Sequence, residues 1–160
     1  MSISVQTEDF DVGAEIAALS AGDAGAGAVA SFVGLMRDRN DGGDGSDGGG
    51  VAAMTLEHYP GMTERALDEI VAEARCRWEL RAVRVIHRVG RLLPGERIVL
   101  VAVSSAHRGE AFAACEFIMD YLKTRAPLWK KEETDAGGRW VDARESDEDA
   151  RRRWVDDAGA

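Results

Sequence analysis

The chain has only three lysines, Lys123, Lys130 and Lys131, and its other strong cations are all arginines. Arginine stays protonated, whereas lysine can lose its proton and act as a base or a nucleophile. Lys123 falls at the end of a helical apolar pattern, and Lys130 follows seven residues later, beyond Pro127. Proline cannot continue a helix, so a turn at Pro127 can bring both amines to one pocket. Clustered cations lower one another's pKa, so a lysine so placed can be partly neutral near pH 7 while its neighbours can hold a phosphate. His107 and Arg108 begin the same helix, behind Ser104 and Ser105 as N-cap candidates. A helix N-terminus is a natural anion site. Residue types alone also allow a chance grouping of surface lysines.

Several elements must position these groups. Residues 3–6 read as a strand, Asp11 caps a short helix to about Leu19, and residues 28–36 form a β-leaning run that delivers Arg37, Asp38 and Arg39 to a loop. Residues 40–50, NDGGDGSDGGG, read as a mobile Gly/Asp loop between two strands. It lacks the closing glutamate of an EF-hand. Residues 51–59 read as a strand that Pro60-Gly61 breaks, and a helix follows over 62–78, with Leu67, Ile70, Val71, Ala74 and Trp78 on one face. Residues 82–89 alternate as a strand that leaves His87 on one face or the other, and IVLVAV at 98–103 reads as a central strand. The long helix runs to about Thr124 and buries Phe112, Cys115, Ile118, Met119 and Leu122. Residues 128–133 and 139–143 read as two short strands, and the acidic tail 146–160 as one helical turn or an adhesive end. Strands and helices mix without strict alternation, which favours an α+β sheet with helices on it over a doubly wound parallel one.

The bulk numbers fit a single domain spanning 1–160. No apolar run reaches the roughly 20 residues of a membrane span, and MSISVQTEDF has no signal-peptide pattern. A cytoplasmic location is the expectation. The net charge of -9 disfavours nonspecific nucleic-acid binding, while the basic stretch 121–131 suits a small anionic ligand or the acidic chain end of a partner. Cys76 and Cys115 fall in helical apolar patterns and read as small core residues, and His58, His87 and His107 have no metal-ligand spacing. No metal site is expected.

TLEHYPGMTE at 55–64, IHRVG at 86–90, SSAHR at 104–108, FIMDYLKTRAPLWKKE at 117–132 and RWVDARESD at 139–147 resemble, in order, the large catalytic subunit of molybdopterin synthase. The resemblance covers residues from about 26 to 147. It implies an α/β-hammerhead-type α+β domain with an additional antiparallel sheet. It implies an enzyme that installs two sulfurs as a dithiolene on cyclic pyranopterin monophosphate, giving molybdopterin. The sulfur would arrive as a thiocarboxylate on the C-terminal Gly-Gly of a small ubiquitin-like subunit, with two large subunits forming a central dimer and no cofactor required. Carried over by motif, Lys123 and Lys130 are the catalytic pair. Arg37, His107, Arg108 and Arg144 resemble substrate-binding residues, and Lys131 is a supporting charge. A thiocarboxylate donor also removes the need for a nucleophilic cysteine.

Overall fold

The computed structural model describes residues 2–38, 50–134, 137–141 and 145–158. Within them the chain forms β1 (Ile3–Gln6), α1 (Val12–Ser20), β2 (Ala28–Leu35), β3 (Val51–His58), α2 (Met62–Arg77) and β4 (Leu80–Arg88). It continues with β5 (Gly90–Leu92), β6 (Arg97–Ser105), α3 (Arg108–Arg125), β7 (Leu128–Thr134), β8 (Gly137–Val141) and α4 (Glu145–Ala158). The expected α+β class is observed, with two sheets. A mixed sheet has the order β1-β4-β6-β2, and an antiparallel sheet has the order β5-β3-β7-β8. Only β1 with β4 runs parallel in the first. Arg39 and most of the 40–50 loop lie outside the described residues.

The apolar run of β6 is central because both faces of its sheet are covered. Val99, Val101 and Val103 meet Leu67, Ile70 and Ala74 of α2 and Ala114, Cys115 and Ile118 of α3 in the main core. Leu100 and Ala102 point the other way, into a smaller cluster with Phe10 and Ile86 that α1 covers through Val12 and Leu19. The second sheet has its own cluster of Met54, Leu56, Leu92 and Met36, joined to the first sheet by Ile98.

Three expectations are corrected. Phe112 is not in the buried stripe of α3 but is 64% exposed; the stripe runs through Ala111, Ala114, Cys115, Ile118 and Leu122, spaced to face the sheet. Cys76 is exposed, on the flank of α2 away from Leu67, Ile70 and Ala74. The tail is a docked helix rather than a single turn. Trp154 of α4 sits edge-on against Trp78 and Phe117, and its indole N–H donates to Asp120 at 2.6 Å. Arg77 donates to the Trp154 carbonyl at 3.1 Å.

The YPGMTE stretch builds a junction. Gly61 takes φ +84°, where a Cβ is unwelcome, and its N–H donates to Glu64 at 2.6 Å. Thr63 is fully buried: its Oγ1 accepts from Tyr59 N–H at 3.0 Å and lies 2.9 Å from the Pro127 carbonyl. The start of α2 is thus tied to the turn between α3 and β7. Replacing Thr63 with valine keeps the shape but strands these buried backbone groups, so thermal denaturation is expected to show a loss of about 1–3 kcal/mol. A variant as stable as the parent would show that the tie contributes nothing.

Candidate active site

Pro127 sets the local geometry. It forces Ala126 into an extended conformation, φ -75° and ψ 130°, and α3 stops there. The Leu128 N–H donates to the Ala126 carbonyl at 2.8 Å, closing a three-residue turn around the proline. The chain then returns as β7, antiparallel to β3 with Lys130 opposite Leu56. Lys123, in the last turn of α3, and Lys130, on β7, consequently line one cavity of about 560 Å³. Side chains alternate along a strand. Leu128, Lys130 and Glu132 therefore share the cavity side, whereas Lys131 faces away, with its ammonium 5.8 Å from the Trp140 ring centre.

The other walls come from distant parts of the chain. Arg37 follows β2, and Met36 beside it is pinned to the turn before β6: its N–H donates to Glu96 and its carbonyl accepts from Gly95. Phe32, Met54, Leu56, Val99 and Leu122 supply apolar surface, and Asp147 of α4 reaches the cavity. The volume and the mix of apolar walls with a few charges are those of a small-molecule site.

Two lining residues went unrecognised in the sequence. Glu132 is a carboxylate only 2% exposed, two residues from Lys130; strand alternation from Lys130 was the available signal. His87 is 5% exposed. Val83, Val85 and His87 alternate onto the face of β4 that meets α2 and α3, and the cavity lies at the end of that stripe. The His87 Nδ1–H donates to the Arg88 carbonyl at 2.8 Å. Arg88 points the opposite way and closes the strand ends, donating to the carbonyls of Thr7 and Arg97. The two halves of the HR pair in IHRVG thus do different work.

Burial pushes the His87 pKa down to about 4, against the backbone bond that favours the charged ring, and Lys123 and Lys130 add to the lowering. The imidazole is neutral at ordinary pH. Between pH 6.5 and 4 the unfolded chain takes up a proton here that the folded chain refuses, so stability is lost as pH falls through that window. The loss is on the order of 3 kcal/mol by the lower end. Chemical denaturation of the protein and of His87→Phe at several pH values should show this slope only in the parent; equal slopes would contradict the buried neutral ring.

His107 and Arg108 are not brought to this cavity within the chain. His107 is the N-cap of α3 and Arg108 its first residue. Fifteen residues separate Arg108 from Lys123, about 22 Å along a helix. Arg144 lies outside the described residues. Neither cysteine lines the cavity. Cys115 donates its thiol to the Val101 carbonyl at 3.6 Å, and burial pushes its pKa up to about 11, far from a ready thiolate. Among the described residues no cluster of three His, Cys, Asp or Glu could hold a metal. No helix among them is long and apolar enough to cross a membrane.

The fold and the site thus define a mixed-sheet protein with a lysine-bearing cleft of small-molecule size. Residues 5–125 match the family model of the MoaE protein, and the chain belongs to that family. It is 64% identical over 153 residues to a molybdopterin synthase catalytic subunit of Ralstonia nicotianae, covering 96% of this chain and 84% of the relative. It is 59% identical to that of Vibrio cholerae, covering 95% and 97%. A solved molybdopterin biosynthesis MoaE protein from Burkholderia ambifaria superposes with TM-score 0.80 at 56% identity, over 96% of this chain and 97% of that one. Molybdopterin synthase from Staphylococcus aureus superposes with TM-score 0.78 at 28% identity, over 88% and 97%.

Proposed function

We propose that this chain is the catalytic subunit of a molybdopterin synthase, acting in the cytoplasm. It transfers sulfur from the C-terminal thiocarboxylate of a small ubiquitin-like subunit to cyclic pyranopterin monophosphate and so builds the dithiolene. The observation that carries the reading is the pair Lys123 and Lys130, held on one cavity from either side of Pro127. The sequence match is to relatives named for this activity.

Both reactants are anions, one a thiocarboxylate and the other a cyclic phosphate. A cationic cavity in a chain of net charge -9 concentrates them without attracting polyanions. The thiocarboxylate sulfur forms a bond to a substrate carbon as that carbon's bond to oxygen breaks, and the departing oxygen takes a proton from a lysine. Water then cleaves the resulting thioester, leaving the sulfur on the substrate and a carboxylate on the partner's tail. Lys123 serves as the principal acid/base or transient nucleophile at the tail carbonyl, while Lys130 assists proton transfer and stabilises the charge that develops there. Arg37 holds the substrate from the end of β2. Arg144 belongs to the same binding role. His107 and Arg108, a helix length away, reach the same substrate only from a second copy of the chain, so the assembly is a homodimer carrying one small subunit at each end.

Reconstitution with a thiocarboxylated partner and the cyclic phosphate tests the reading. Lys123→Ala and Lys130→Ala should each lower dithiolene formation by about 100-fold or more while the protein stays folded; normal turnover by both would refute it. Alkylating exposed Cys76 with iodoacetamide should leave turnover within about twofold, because no protein thiolate carries the sulfur. Loss of activity on alkylation would put a cysteine back into the chemistry.

A further inference from the structure

His87 carries a function that neither the lysine motif nor the anion-binding arginines account for. It is nine-tenths buried, lines the cavity and has one nitrogen spent: Nδ1–H is held by the Arg88 carbonyl. A carbonyl can only accept, so the proton sits on Nδ1 and Nε2 carries a lone pair. No hydrogen bond to Nε2 occurs among the described residues. The same cavity is lined by Lys123 of α3, Lys130 and Glu132 of β7, Arg37 after β2 and Asp147 of α4, and the charges of Lys123, Lys130 and His58 of β3 are felt at the ring. Every cation there is a donor suited to anionic oxygens. A neutral acceptor buried among them suits a different part of the ligand, a ring N–H.

We propose that His87 is a specificity-determining residue whose Nε2 accepts a hydrogen bond from a ring N–H of a fused nitrogen heterocycle seated on the apolar walls of the cavity. Val99 lies opposite His87 in the sheet and Gly34 lies opposite Val99, so one row across the sheet forms a flat floor. A Cβ at Gly34 would stand 2.7 Å from Val99 Cγ1, so that floor has no room for a side chain there. The ring lies on this floor, and its phosphate faces the cations. His87 must be neutral to accept, and its burial between two lysines keeps it so down to about pH 4. A protonated imidazole would instead add a fourth cation to Arg37, Lys123 and Lys130, bind the phosphate end and lose the ability to recognise the ring. The choice of a pterin-like heterocycle rests on the proposed function; the neutral acceptor itself rests on the geometry.

Titrations with 6-hydroxymethylpterin, which is uncharged, and with inorganic phosphate separate the two contacts. His87→Phe should weaken pterin binding about tenfold and leave phosphate binding unchanged, while His87→Gln, which keeps an acceptor, should stay within about threefold of the parent. Pterin affinity of the parent should be flat from pH 8 to about 5.5 and fall as pH approaches the His87 pKa of about 4. In turnover, His87→Phe should raise KM about tenfold and move kcat by less than about threefold. Two-bond proton–nitrogen spectra of the ligand-free protein should show the Nδ1–H tautomer, with an Nε2 signal that shifts on adding pterin. The proposal is overturned if the parent binds no pterin, or if His87→Phe binds it as the parent does. It is also overturned if that variant loses pterin, phosphate and thermal stability together, or if Lys123→Ala alone shifts the Nε2 signal of the free protein. Pterin binding through His87 without dithiolene formation would instead refute the proposed function and leave this inference standing.

Discussion

A proline at the end of α3 is the constraint on which the site depends. It denies Ala126 a helical conformation and sends the chain back along β3 as β7. Without that reversal Lys123 and Lys130 would lie seven residues apart on a continuous helix, on one face but without a second wall. With it, one lysine projects from a helix C-terminus, where the backbone dipole favours a cation, and the other from a strand whose alternation is fixed by pairing. Thr63 then holds the reversal from outside, so the position of the lysine pair is coupled to the first turn of α2 rather than to α3 alone.

The electrostatics follow from the same placement. The cavity is not simply basic: buried Glu132 and half-buried Asp147 share it with Lys123, Lys130 and Arg37. Glu132 has a partner, so its burial does not leave an isolated charge. Carboxylates on the same cavity limit its net positive potential, which suits a site that must release a ligand as well as bind it. The helix α3 also acts as a ruler. Its two ends carry Arg108 and Lys123, and a helix does not bend enough to bring them together. In the proposed reading both groups serve one substrate only across a pair of chains.

Much of this was legible in the sequence. Apart from the three-residue β5, the strands, the α2 and α3 helices and the spacing of the lysine pair about Pro127 follow from periodicity and from proline's backbone limits. The errors lay where local pattern does not decide. Phe112 looks like core by type, but its angle around α3 is set by which neighbouring residues meet the sheet, and Ala111 takes that place. The docking of α4 is legible only once Trp78 and Phe117 are known to leave a site for Trp154. His87 had its strand identified but not its face. The face depends on register with Val99 and on what lies beyond the end of the sheet, neither of which a single strand encodes. Arg37 is expected from the motif around it to bind substrate, and it lines the cavity.

The site supplies charge, shape and proton acceptors but, among the described residues, no thiol. Cys115 is sealed under α3 with its thiol donated to the Val101 carbonyl, and its raised pKa keeps it protonated. Cys76 is on the outer flank of α2, away from the cavity. A cysteine relay would need a thiolate within contact of the bound ring, and neither position offers one. In a sulfur-transfer role, the sulfur therefore has to enter the cavity already activated, on a flexible tail that can withdraw after each transfer. In that role amines rather than thiols suit the walls, because they would neutralise an incoming anionic sulfur donor and manage the protons of its hydrolysis. Lysines on opposite sides of a rigid turn can do both, whereas a protein thiol beside them would compete with the donor for the same carbon.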